Sequence, residues 1–137
     1  MTTVVLDASA ALAWLLPSQA TATADRLLEQ ANGYDFVAPD VFTWEVANVL
    51  MTKARGHSVV VADAFGQLGG IEIAFAEPLT AEEVRQLVDI ATVAGVSLFD
   101  AAYLALAMER DAGLASRDRL LLAAATNAGL PVFDLRD

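Results

Sequence analysis

The stretch TVVLDASAALAWLLP, residues 3–17, decides how the rest of the chain is interpreted. TVVL at its start is a short run of apolar and β-branched residues, which predicts a buried strand over residues 3–6. A helix is predicted near Ser9–Leu16, and it stops at Pro17. The stretch therefore predicts a strand followed at once by a helix, with the carboxylate of Asp7 at the carboxyl end of the strand.

The same alternation of strand-like and helical segments continues to the end of the chain. Further strands are predicted at 35–38, 71–75, 114–116 and 131–134, and helices at about 18–32, 39–55, 58–68, 80–94, 97–112 and 119–128. Strands separated by helices imply a parallel sheet with helices on both faces. We therefore predict one α/β domain over residues 1–137, a three-layer α/β/α fold with about five short parallel strands.

The composition is unusually apolar for a domain of this size. Apolar residues make up 56% of the chain and the mean hydropathy is +0.49, against roughly 45–50% in an average soluble domain. Some apolar surface is therefore expected to be covered by a partner, with the run Val59, Val60, Val61, Phe65 and Leu68 as the candidate. No apolar run approaches the ~20 residues of a membrane span, and there is no cysteine, so we expect a cytoplasmic protein.

The charge balance argues against a broad nucleic-acid-binding surface. The chain has 18 acidic and 8 basic side chains, a formal net charge of −10. Proteins that bind nucleic acid through an extended surface are usually basic. Any nucleic-acid substrate must therefore be bound by metal–phosphate bonds and a few cations at the site, not by a broad basic surface.

Four acids are predicted to lie at one edge of the sheet. Asp7 and Asp118 follow the first and fourth strands, Glu45 is in the first two turns of the helix after the second strand, and Asp100 is in the first turn of the helix after Gly95. In parallel α/β sheets, ligands bind beyond the carboxyl ends of the strands. Asp100 is the least constrained, because no strand is evident just before its helix.

Each acid also has a simpler structural explanation. Asp7 and Asp118 could cap the helices that follow them. Asp100 could complete a capping box with Ser97, and Glu45 could lie on a solvated helix stripe.

The residues around Glu45 and Asp100 favour a shared metal site. VFTWEVANVLM (41–51) and SLFDAAYLALAM (97–108) are apolar on almost every side, a pattern typical of buried helices. A lone buried carboxylate needs a partner, and no Lys or Arg is nearby in sequence. A hard divalent cation is the natural partner for several carboxylates, so one or two Mg²⁺ or Mn²⁺ ions are predicted.

The motifs LDASA (6–10), EVANVL (45–50) and LFDAAYLALAMERDAGLASRDRLL (98–121), in this order and spacing, resemble the PIN-domain ribonucleases. The resemblance is strongest to the VapC-type toxins of bacterial toxin–antitoxin pairs. It implies a metal-dependent endoribonuclease that leaves a 5′-phosphate and a 3′-hydroxyl, forms a homodimer and binds a cognate antitoxin. It also implies a catalytic, metal-holding set of Asp7, Glu45, Asp100 and Asp118, with Ser9 and Ser116 as polar neighbours; the family often has Thr at the latter position.

Other residues leave further interpretations open. Arg117 and Arg119 flank Asp118 and are candidate phosphate contacts or simply solvated. His57, the only histidine, is interpreted as a loop residue.

Three alternatives remain at this point. A non-toxin PIN nuclease of RNA processing would have the same motifs. A haloacid-dehalogenase-like phosphatase would need a second Asp where Ser9 stands. A receiver domain would need two adjacent acids after the first strand and a late Lys, whereas Lys53 is the only lysine.

Overall fold

The computed structural model describes residues 1–55 and 58–137, so His57 lies outside the described residues. Its strands are β1 Thr2–Leu6, β2 Tyr34–Ala38, β3 Ile73–Phe75, β4 Gly113–Ser116 and β5 Val132–Asp134. Its α-helices are α1 Ala8–Leu15, α2 Ala22–Glu29, α3 Val41–Ala54, α4 Ser58–Gly69, α5 Ala81–Ala94, α6 Leu98–Arg110 and α7 Arg119–Asn127.

The five strands form one parallel sheet in the order β3-β2-β1-β4-β5. β1 is central, and Val4, Val5 and Leu6 are completely buried. Helices α1, α3 and α4 pack together in one outer layer, and α5, α6 and α7 pack together in the other. The predicted three-layer α/β/α fold is confirmed. The chain winds outward from β1 through β2 to β3 and then crosses back to β4 on the other side of β1, so the direction of winding reverses at the β1–β4 pair.

Some element boundaries differ from the prediction. The helix expected over 18–32 is shorter, because Thr21 accepts a hydrogen bond from the amide of Ala24 and starts α2 there. Single 3-10 turns precede and follow it, at Pro17–Gln19 and Ala31–Gly33. The third strand was predicted over 71–75 but begins at Ile73.

Two predictions about burial were wrong in part. α3 and α6 are not buried on all sides: Trp44 is 81% exposed and Phe99 is 53% exposed. In α4, Val61, Phe65 and Leu68 pack against the main core, so they do not form the exposed partner surface that was predicted for this run. Val60 is exposed, and the side chain of Val59 is outside the described residues. The exposed apolar surface is therefore on α3 and α6 more than on α4.

No single helix in the described ranges has both the length and the apolar character to cross a membrane. Only α5 and α6 together reach that length and composition, and they are separated by a 98° bend.

Candidate functional site

The topology brings the four acids to the carboxyl edge of the sheet. Asp7 directly follows β1, and its amide donates to the carbonyl of Ala115 at 3.2 Å, which joins the ends of β1 and β4. Asp118 lies two residues beyond β4. α3 starts at the same edge after β2. α6 ends where β4 begins, at the amino edge of the sheet. The helix is about 20 Å long and runs opposite to the strands, so its first turn, which carries Asp100, lies at the carboxyl edge.

Both carboxylate oxygens of Asp7 are held by hydrogen bonds. Oδ1 accepts from the Ser9 hydroxyl at 2.7 Å and from the Ala10 amide at 2.9 Å. Oδ2 accepts from the Ser116 hydroxyl at 2.5 Å. Asp7 is only 4% exposed. Its carboxylate therefore has a fixed orientation between β1 and β4.

The two serines connect the strand ends. The Ser9 hydroxyl accepts from the Arg117 amide at 2.8 Å, and the Ser116 hydroxyl accepts from the Asp118 amide at 2.9 Å. Their Oγ atoms are 3.3 Å apart. A rigid polar network thus runs from Asp7 to the backbone of Asp118.

The helix caps that offered a simpler explanation are present. Asp7 caps α1, and Asp118 Oδ1 caps α7 by accepting from the amides of Leu120 at 2.9 Å and Leu121 at 3.2 Å. The Ser97 hydroxyl caps α6 by accepting from the Asp100 amide at 3.1 Å. These caps anchor the backbone of three acids at the edge. They do not account for Glu45, which lies in the second turn of α3.

Neighbouring acids act electrostatically on Asp7 and, more strongly, on Asp100. Burial raises the pKa of Asp7 to about 6, against its hydrogen bonds from Ser116, Ser9 and Ala10, with a further contribution from the charge of Asp118. Burial also raises the pKa of Asp100 to about 7, and the charges of Asp118, Asp7 and Glu45 add to the rise. The charges of all three other acids therefore raise the pKa of Asp100.

No basic side chain in the described ranges forms an ion pair with these four acids. The ion pairs found there are Arg85 with Glu82 and Asp89, and Arg136 with Asp134. The carboxyl edge is consequently a region of uncompensated negative charge.

The donor set suits a hard divalent cation, but the arrangement is open. Carboxylate oxygens are the ligands that Mg²⁺ and Mn²⁺ prefer, and Oε1 of Glu45 is buried without a partner. In the described part of the chain, however, no three acidic or histidine side chains lie close enough to hold one ion together. Without a cation, repulsion between the carboxylates opposes their closer approach to one another. Both oxygens of Asp7 and Oδ1 of Asp118 also point toward their hydrogen-bond donors.

The raised pKa values predict how the stability of the metal-free protein depends on pH. The carboxyls of Asp7 and Asp100 titrate at higher pH in the folded than in the unfolded state. The folded state therefore binds more protons between about pH 4 and 7, and its stability falls as pH rises through this window. We expect a lower melting temperature at about pH 8 than at about pH 5 in EDTA.

Two variants separate this effect from general acidity. Asp100→Asn should flatten the dependence on pH, because of the two carboxyls that titrate in this window it removes the one with the more raised pKa. Asp35→Asn, on the exposed start of β2, should leave it unchanged. A melting temperature that is flat or rises from pH 5 to 8 would contradict the assignment.

The arginines next to Asp118 have different surroundings. The Arg117 guanidinium donates from Nη1 to Oε1 of Gln19 at 2.9 Å, and its Nε is buried without a partner. Arg119 is exposed at the start of α7. Arg117 is thus held beside the serine network, whereas Arg119 lies on the surface.

Sequence reasoning missed Tyr103. This residue is 1% exposed, and its hydroxyl is buried without a hydrogen-bond partner. The available signal was its spacing: it follows Asp100 by three residues on α6, so both side chains lie on one face of the helix.

The family model of the PIN domain matches residues 4–133 of this chain. The solved structure of VapC20 from Mycobacterium tuberculosis, described as a Sarcin-Ricin loop cleaving toxin, has a TM-score of 0.70 and 21% identity over 88% of this chain and 94% of its own. VapBC2 from Rickettsia felis, bound to a DNA fragment from its promoter, has a TM-score of 0.69 and 12% identity over 97% and 98%.

PAE2754 from Pyrobaculum aerophilum has a TM-score of 0.68 and 20% identity over 96% of this chain and 84% of its own. At these identities the likeness establishes a shared fold. Comparison with curated proteins found no match.

Proposed function

Since the chain belongs to the PIN-domain family, we propose that it is a divalent-metal-dependent endoribonuclease and the toxin of a toxin–antitoxin pair. One observation carries the proposal: Asp7, Glu45, Asp100 and Asp118 lie at one sheet edge, and the pKa of Asp100 is raised by burial and by the other three charges. Such a concentration of negative charge favours binding of a divalent cation.

Each acid has a distinct proposed role. Asp7 and Asp100 hold the metal ion directly, while Glu45 and Asp118 either bind it or orient the attacking water. When bound, Mg²⁺ or Mn²⁺ supplies a water activated near neutral pH and stabilises charge on the leaving oxygen. Asp118 uses Oδ1 to cap α7, which leaves Oδ2 for the reaction.

Ser9 and Ser116 hold the Asp7 carboxylate in a fixed orientation. Ser9 and Ser116 each donate to Asp7 and each accept from a backbone amide of the β4–α7 turn. Because they fix the Asp7 carboxylate before substrate arrives, less reorganisation is needed during the reaction.

RNA is the proposed substrate, with few protein cations to bind it. Arg117 and Arg119 are the proposed phosphate contacts, since both adjoin Asp118 and neither forms an ion pair among the described residues. A chain with net charge −10 repels RNA at long range rather than attracting it. Affinity must therefore come from contacts at the site itself.

An antitoxin and a second copy of the chain are the proposed partners, in the cytoplasm. An apolar groove of about 500 Å³ lies between α3, α5 and α6, and acidic side chains stand along it. Trp44, Phe75 and Phe99 are large apolar side chains left exposed. The VapBC2 structure is that of a complex bound to promoter DNA, and the negative charge of our chain suits a basic antitoxin segment.

The proposal is tested with purified protein and an end-labelled single-stranded RNA. We expect internal cleavage in Mg²⁺ or Mn²⁺, with 5′-phosphate and 3′-hydroxyl ends, and none in EDTA. A matching DNA strand and p-nitrophenyl phosphate serve as controls for the reaction class. Cleavage that persists in EDTA, or release of phosphate from the monoester alone, would contradict the proposal.

A further inference from the structure

Two buried polar atoms without hydrogen-bond partners lie on the helices that carry Glu45 and Asp100, one in each outer layer. They are the hydroxyl oxygen of Tyr103 on α6 and Oε1 of Glu45 on α3. In the described part of the chain, Nε of Arg117 is the one other buried side-chain nitrogen or oxygen without a partner. Buried polar groups are nearly always paired, so this pair of unpaired atoms needs an explanation.

The two groups influence each other. Burial raises the pKa of Tyr103, and a hydrogen-bonding interaction with Glu45 and the charges of Glu45 and Asp7 raise it further, while the backbone of Ala8 lowers it. Burial raises the pKa of Glu45, while the Tyr103 hydroxyl lowers it. Tyr103 therefore lies against Glu45, although their atoms do not reach hydrogen-bond geometry in this conformation.

The chemistry of the two atoms is complementary. A phenol hydroxyl can donate one hydrogen bond, and an ionised carboxylate oxygen can only accept. Tyr103 is 1% exposed and packed in the main core, so it has little freedom to move. Glu45 is half-buried and has a flexible side chain, so it is the partner that moves to form the bond.

We propose that Tyr103 is a positioning residue: when the site holds a metal ion, its hydroxyl donates to Oε1 of Glu45 and fixes that carboxylate toward the other three acids. Oε2 of Glu45 is then the oxygen left for the metal ion or its water. This inference rests on the proposed function, because it assigns Glu45 to the metal site. A residue needed only for packing would instead be served equally well by phenylalanine.

The test is Tyr103→Phe in two backgrounds, the wild type and Glu45→Gln, with Tyr34→Phe as the matched control. Calorimetric titration with Mn²⁺ measures metal affinity, and thermal unfolding in EDTA measures stability. We expect Tyr103→Phe to weaken Mn²⁺ binding about 10- to 100-fold, the usual effect of losing a group that orients a metal ligand. The melting temperature in EDTA should not fall, because an unpaired buried hydroxyl is removed. Tyr34→Phe should leave the affinity unchanged.

The Glu45→Gln background makes the result specific. There, Tyr103→Phe should add much less than its effect in the wild type, since the two changes break one interaction. Unchanged Mn²⁺ affinity in Tyr103→Phe, or the same fold-loss in both backgrounds, would overturn the positioning role while leaving the proposed function intact. A wild-type protein that binds no Mn²⁺ would overturn both.

Discussion

The Asp100→Asn variant should cleave RNA at least about 10²–10³-fold more slowly than the wild type in Mg²⁺, which is the scale of losing one preorganised charge-stabilising group. Asp100 is placed as a direct metal ligand, and asparagine lacks the charge that the site needs. The fold should survive, because the cap of α6 runs from the backbone amide of residue 100 to Ser97 Oγ, and asparagine keeps that amide.

Asp111→Asn is the matched control for this prediction. It makes the same chemical change at the other end of the same helix, at an exposed left-handed position with φ of 50°. Asparagine adopts this conformation readily, so both stability and cleavage rate should be kept. Initial rates on one RNA, with both variants at equal concentration, give the comparison. Equal rates for Asp100→Asn and the wild type would remove Asp100 from the site.

The fold was predictable from the sequence because its strands and helices have distinct patterns. The run at residues 3–6, with Pro17 after the first helix, identifies the first β–α unit, and repetition of that unit implies the parallel sheet. The boundaries were less predictable. The chain between Pro17 and Gly33 is rich in helix-forming residues, and only the capping bond of Thr21 decides where α2 begins.

The placement of the acids was predictable, but their surroundings were not. That Asp7 and Asp118 follow neighbouring strands can be deduced from topology. The family resemblance implied that Ser9 and Ser116 are polar neighbours of the acids. That they hold opposite oxygens of Asp7 depends on the β1–β4 pairing, which the sequence does not show. The sequence also could not show that Trp44 is exposed, because an apolar helix that faces a partner has the same pattern as one buried in the core.

Binding of Mg²⁺ should stabilise the folded protein by about 2.7 kcal/mol at 100 times its dissociation constant. With an unfolding entropy of about 2.1 cal/mol/K per residue, this corresponds to a rise in melting temperature of about 9 °C for 137 residues. The gain arises because the ion offsets the cost of keeping the Asp7 and Asp100 carboxylates charged, a cost that comes first from burial and then from the neighbouring acids. Asp100→Asn reduces the same repulsion without metal, so its EDTA melting temperature should equal or exceed that of the wild type.

Thermal unfolding of the wild type, Asp100→Asn and Asp111→Asn, each in EDTA and in Mg²⁺ at matched ionic strength, tests the shared metal site most directly. We predict a rise of about 9 °C for the wild type and Asp111→Asn, and no rise for Asp100→Asn. If Asp100→Asn melts below the wild type in EDTA and keeps the full response to Mg²⁺, Asp100 only stabilises its helix and the four acids do not form one metal site.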